Sequence, residues 1–296
     1  MAVDGSWSGV TLLAPLSDDL LDVKGNVVTV NGDAALSATV GTPFGAGNAC
    51  YFDGTGDYLT TPQLIFSDLY TVELWMYLTS TAQQCIFSQY DSVGTNRLSL
   101  HTNASGKLEV AIDGTPEVTA TATVTTGAWV FVSLTSRTAF GDGLYLHAGG
   151  VQVAGASSTL LAPYSGACTF GARYGPTAGL ELPMTGYLFD CRVTSLTARY
   201  GNSSYSVPTE PHPRPTIAGV TYDEFGAELS QVVVALKRDT LAIAGSAVSD
   251  VVTGSYVIYP DDFSEHVVLR FDTTTYPLVD GGGGENALIF DRVIPG

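Results

Sequence analysis

Between Thr71 and Leu78 the chain alternates without a break. Val72, Leu74, Met76 and Leu78 fall on one side, and Thr71, Glu73, Trp75 and Tyr77 on the other. A period of two belongs to an extended strand with one face against an apolar layer, and a helix cannot present it. The pattern returns in Arg97–His101, Lys107–Ile112, Trp129–Val132, Val232–Leu236 and Val267–Phe271. No window of 12 residues places apolar side chains at helical spacing. Asp113-Gly114, directly after Ile112, predicts a two-residue hairpin. The expected fold is all-β, with antiparallel sheets packed face to face.

At 296 residues the chain is long for one sandwich. Val207–Thr216 carries four prolines. Each fixes its own φ and pushes the preceding residue toward extended angles, so this stretch reads as a semi-rigid spacer. The predicted division is a larger sandwich over 1–206, a linker over 207–216 and a smaller β unit over 217–296.

A formal net charge of −17 repels nucleic-acid backbones and anionic membranes, so neither is an expected partner. No apolar run is long enough to span a bilayer, and the opening MAVDGSWSGVTLLAPLSDDLL has neither the basic nor the apolar region of a secretory leader. Each cysteine stands two residues from a phenylalanine: Cys50 and Phe52, Cys85 and Phe87, Cys168 and Phe170, Cys191 and Phe189. Residues two apart share a strand face, so four free thiols are expected in apolar layers.

Glycoside hydrolysis needs two carboxylates flanking the scissile bond. Glu73 has no second acid at i+2 or i+4, and Asp190 is single, beside Arg192 as charge complementarity on one face. His101, His147, His212 and His266 lack the spacing of a zinc site. Asp223, Glu224 and Glu228 surround Gly226 and read as a solvated turn. No catalytic residue is assigned, and the chain is expected not to be an enzyme.

A longer-range order accompanies these patterns. Leu12-Leu13, Asp22, Gly25-Asn26 and Phe44-Gly45 precede FDGTGDYL at Phe52–Leu59. Trp129 stands before Val130 and Val132, and Gly186–Thr194 holds Asp190 and Arg192 before Ala198-Arg199-Tyr200 and Tyr205-Ser206-Val207-Pro208. This order resembles the laminin-G-like, concanavalin-type β-sandwich (jelly roll) of bacterial and phage surface proteins. Residues 217–296 resemble a small transthyretin-like, carboxypeptidase-regulatory sandwich of immunoglobulin-like build, with Asp250-x-x-Thr253-Gly254-x-Tyr256 among its marks.

The first resemblance implies ligand contact through rim loops, where aromatic faces stack on sugars and polar groups orient them. Tyr90, Asp91, Asn96, Arg97, Tyr164, Arg173 and Tyr174 are the candidates. It implies no cofactor except a calcium ion at the rim, for which Asp53 and Asp57 are candidates; their other role is bonding to neighbouring amides in a Gly54/Gly56 turn. It also offers a Cys168–Cys191 disulfide as the alternative to free thiols.

An adhesin-type domain without a visible leader is expected in a virion protein made in the bacterial host's cytoplasm. The expected function is non-enzymatic: display on tail, fibre or capsid, with adhesion to host glycan or protein. The partners are other virion proteins or sister subunits. Capsid decoration or a tail accessory role is the alternative, and a glycan depolymerase is the third.

Overall fold

The computed structural model describes residues 6–90, 97–137, 143–155, 164, 166–175, 179–221, 230–260, 265–271 and 288–293. Two compact units divide it: Gly9–His212, and Pro213–Gly296 with the first eight residues. Among the described residues the only helix is a 3₁₀ turn at Trp7–Gly9.

The larger unit begins with β1 (Val10–Ala14), β2 (Thr29–Asn31), β3 (Ala35–Ser37), β4 (Ala49–Asp53), β5 (Tyr58–Thr61) and β6 (Leu69–Leu78). There follow β7 (Gln84–Tyr90), β8 (Leu98–Thr102), β9 (Lys107–Ile112), β10 (Thr115–Thr123), β11 (Trp129–Arg137) and β12 (Leu144–Ala148). It closes with β13 (Val151–Gly155), β14 (Ala167–Phe170), β15 (Arg173–Gly175), β16 (Gly179–Glu181) and β17 (Thr185–Ser195). One sheet runs β13-β12-β11-β6-β17-β4-β3, with β1 also on β17; the other runs β10-β9-β8-β7-β14-β5-β2. All of these pairings are antiparallel.

The apolar row of β6, Val72-Leu74-Met76-Leu78, meets Ile86, Phe87, Leu98, Leu100, Val110 and Phe170 of the second sheet in one buried core. The Asp113-Gly114 hairpin joins β9 to β10 with φ of 52° and 80°, the pair of positive values that a tight turn of matching twist requires.

Of the register shifts in these ladders, two bear on the site and the cysteines. In β17 the register slips between Phe189 and Arg192, with Asp190 at φ 53°. Before the bulge β17 pairs with β4, and after it with β1. In β7 it slips between Cys85 and Phe87, so Ile86 and Phe87 both enter the core while Cys85 lies opposite His101.

These slips correct the cysteine reading. Cys50, Cys168 and Cys191 do lie in the apolar core, but Cys191 and Phe189 face opposite ways, and Cys85 leaves the core face that Phe87 occupies. An extra residue on one side of a ladder exchanges faces for everything beyond it. All four thiols are free and buried, with no Cys168–Cys191 bridge.

The smaller unit holds β18 (Ile217–Val220), β19 (Val232–Lys237), β20 (Ile243–Val248), β21 (Ser255–Ile258), β22 (His266–Phe271) and β23 (Leu288–Val293). A four-stranded sheet, β20-β19-β22-β23, accompanies the pair β18-β21 around Ile217, Val233, Ala235, Ile258 and Val268. Arg214 lies over the Tyr259 ring at 3.7 Å. In the proline-alternating stretch, read above as a spacer, Val207 and His212 are seated in the larger unit.

Candidate functional site

The outer face of the first sheet is organised in rows, because directly paired residues share a face and successive rows lie two residues apart. One row is Thr194, Thr71, Thr135 and Tyr145. The next is Arg192, Glu73, Ser133 and His147; the third is Phe189, Trp75 and Phe131. A fourth row is aromatic throughout, Tyr51-Tyr187-Tyr77-Trp129, one ring on each of four neighbouring strands. Beyond it Asp53 pairs with Thr185, and Thr79 donates its N–H to the Thr185 carbonyl.

The chain after β17 crosses this face and covers the second and third rows. Tyr200 and Tyr205 stack at 3.8 Å and 11°, and Tyr205 Oη meets Ser133 Oγ at 2.7 Å. Beneath them lies a closed set of charges. Glu73 Oε1 is 3.5 Å from Arg192 Nε, 3.0 Å from Arg199 Nε and 3.2 Å from His212 Nε2. His212 Nδ1 lies 2.8 Å from Asp190 Oδ2, which also accepts the His212 backbone N–H.

Burial alone would raise the Glu73 carboxyl, but His212, Arg199 and Arg192 outweigh it and hold it at about 2. Burial would lower His212, but the Asp190 and Glu73 carboxylates hold the imidazole at about 9. Both ring nitrogens face carboxylates, so the ring carries two protons. Glu73 and Asp190 thus belong to one ionic cluster, and both are 0% exposed. That corrects the reading of each as a single acid. Arg199 and His212 were missed because their partners stand 126 and 139 positions earlier in the sequence.

The outer face of the second sheet is polar. Glu109 Oε1 lies 3.3 Å from His101 Nε2, and its Oε2 accepts from Asn103 Nδ2 and Thr119 Oγ1, each at 2.9 Å. Ser99 Oγ stands 3.3 Å from His101 Nδ1. Ser–His–Glu in a line resembles a nucleophile relay, yet Ser99 is 3% and His101 4% exposed. Burial comes first in depressing His101, with Glu109 working against it. Across from His101, burial pushes the Cys85 thiol up to about 12, which keeps it protonated and unreactive.

At the β4–β5 turn Asp57 is 1% exposed and does what a turn residue does. Its Oδ1 accepts the Asp33 N–H at 2.8 Å and its Oδ2 the Asp53 N–H at 2.9 Å; Asp53 Oδ1 accepts from Thr55 N. Asp33, absent from the sequence reading, joins them, and one carboxylate oxygen from each acid lies within 4.8 Å of the others. Three hard oxygens suit calcium chemistry, although Asp57 already spends a lone pair of each oxygen on backbone donors.

The structure describes the backbone of five of the seven rim candidates. Asp91 and Asn96 lie outside the described residues, as do Asp223, Glu224 and Glu228. Tyr90 ends β7 and Tyr174 lies in β15. Arg97 sits 3.6 Å from Asp113, and Arg173 pairs with Glu181 at 2.6 Å. Tyr164 is 1% exposed, its Oη 3.0 Å from Tyr70 Oη, so it is a core residue and not a ligand contact.

Residues 53–198 match a family profile described as the concanavalin A-like lectin/glucanases superfamily. No curated protein matches the chain. Among solved structures, domain 4 of AbnA, a GH43 extracellular arabinanase from Geobacillus stearothermophilus in complex with arabinotriose, is 18% identical with TM-score 0.47, over 63% of this chain and 92% of that one. The heptameric SAP-like pentraxin of Limulus polyphemus is 18% identical with TM-score 0.39, over 50% and 76%. Domains LG4-5 of the mouse laminin α1 chain are 13% identical with TM-score 0.38, over 54% and 44%. These are likenesses of fold alone. The larger unit is a concanavalin-like antiparallel β-sandwich.

Proposed function

We propose that the protein is a non-enzymatic binding protein displayed on a bacteriophage virion, whose larger sandwich adheres to host-surface glycan or protein. The observation that carries the non-enzymatic part is the sealing of the acids. Glu73 and Asp190 share one buried cationic cluster, and Glu109 is saturated by His101, Asn103 and Thr119. A hydrolytic pair must reach substrate from opposite sides of a bond, and carboxylates buried and occupied in this way cannot. The lectin/glucanase profile over 53–198 supports glycan as the ligand class, and the virion setting rests on the sequence resemblance alone.

The full chain should bind whole host cells or a glycan array while releasing no reducing sugar from host polysaccharide. Release of reducing sugar would establish the depolymerase instead. The smaller unit exposes Leu241, Ile243, Val248, Val251 and Val252, the last two at 76% and 75%. Apolar exposure in this number on one small unit favours it as the one that docks to virion proteins or sister subunits. Binding to particles together with silence on every host strain would make the chain a decoration protein.

A further inference from the structure

We propose that the aromatic row Tyr51-Tyr187-Tyr77-Trp129 is the platform on which the protein holds a single extended chain of neutral sugars. The proposal rests on the glycan-binding reading and gives it a place on the sheet face.

The row's place on the sheet favours this. Cross-strand register sets the four rings side by side, with centroids 4.9, 5.8 and 5.6 Å apart. Such a line crosses four strands, each step about 4.8 Å, and so spans several sugar units. The row behind it, Phe189, Trp75 and Phe131, is buried under Phe44 and Tyr205, whereas Tyr51, Tyr77 and Trp129 remain partly exposed, with Tyr187, 6% exposed, as the floor between them. On its open side run Asp53, Thr185 and Thr79; the Asp53 carboxylate and the Thr185 hydroxyl can take up sugar hydroxyl groups, and Thr79 Oγ1, which donates to the Thr185 carbonyl, can accept from one. Gly127 leaves open space beside Tyr77, since a Cβ there would meet only the Tyr77 hydroxyl, at 4.0 Å.

Chemistry narrows the occupant. Tyrosine and tryptophan pair an apolar ring face with a polar tip, as a pyranose pairs C–H faces with equatorial hydroxyls. Tyr187 and Tyr77 meet at 88°, and Tyr77 and Trp129 at 66°. The row is therefore corrugated, which suits one flexible chain and not the flat face of a crystalline polymer. A net charge of −17 disfavours polyanionic sugars.

The test is native affinity electrophoresis of the full chain through gels containing soluble β-glucan, arabinan, mannan or, as the anionic probe, alginate. Wild-type protein should be retarded by at least one neutral polymer and not by alginate. Tyr77→Ala and Trp129→Ala should each weaken that binding about tenfold, the effect of removing a central aromatic anchor. Tyr51→Ala, on the row's outer strand, tests the same platform with less risk to folding. Tyr77→Phe should keep most of the retardation, and Arg238→Ala in the smaller unit should change nothing. Unchanged binding by Tyr51→Ala and by folded Tyr77→Ala and Trp129→Ala overturns the platform while leaving glycan binding intact. Stronger retardation in alginate overturns the neutral-sugar assignment. Absence of wild-type retardation in every gel, with cell binding retained, replaces glycan by a protein ligand and overturns the proposal together with its premise.

Discussion

Glu73 is one fully buried carboxylate facing three cations. Removing one partner of such a set leaves the others uncompensated, so Glu73→Gln should lower unfolding free energy by about 3–5 kcal/mol, read from the urea midpoint. The protonated ring of His212 gives a second expectation. Its folded value of about 9 lies above the ordinary 6.5, so its stabilisation is complete below 6.5 and is lost as pH rises through about 9. The melting temperature of the wild type should fall between pH 6.5 and 9.5 more steeply than that of His212→Gln; equal slopes would refute the assignment. Thiol chemistry gives a third. Burial raises all four thiols and denies reagents access, so a thiol reagent should find none reactive in the native state and four after denaturation.

At the scale of elements, Gly186, the second residue of β17, has φ 148°, and an added Cβ there would lie 2.2 Å from the Tyr77 carbonyl oxygen. Gly186→Ala should therefore cost about 1–3 kcal/mol, as overpacking typically does, seen as a lower melting temperature. Strands of this kind were legible in the sequence wherever the period of two held, as in β6 and at the Asp113-Gly114 hairpin. What escaped was each place where a ladder gains a residue. Asp190 and Ile86 sit in bulges that no local propensity announces, because the reason for each lies in its neighbours: the Asp190 N–H goes to the Pro15 carbonyl, and its carboxylate goes to His212. Among the rim candidates, Tyr164 misled for a related reason. Tyr164 looks like a loop tyrosine in sequence, yet it is packed against Phe66 and Tyr70. The aromatic row went unnoticed because its four members come from strands far apart in the chain, although Trp75 and Tyr77 were correctly placed on the face away from the core.

For the molecule as a whole, chain length and the proline-rich stretch predicted two β units in an acidic chain, and the concanavalin-like sandwich bears out the fold expected for the larger one. Its strong negative charge has a measurable consequence if the ligand is neutral. Affinity for a neutral glycan should then change little between roughly 0.05 and 0.5 M salt, because screening acts on charge pairs and stacking has none. A steep salt dependence would point instead to a cationic partner drawn by the acidic surface.

The charge cluster around Glu73 also bears on synthesis. The last strand of the sandwich ends at Ser195, but the ion pairs that neutralise its centre wait for Arg199 and His212. A nascent chain that has exposed every strand of this unit holds Glu73 with Arg192 as its one cation, and Asp190 without its imidazole. Completion on the ribosome should therefore lag until His212 clears the exit tunnel, and an expressed fragment stopped at residue 206 should behave as an unfinished domain.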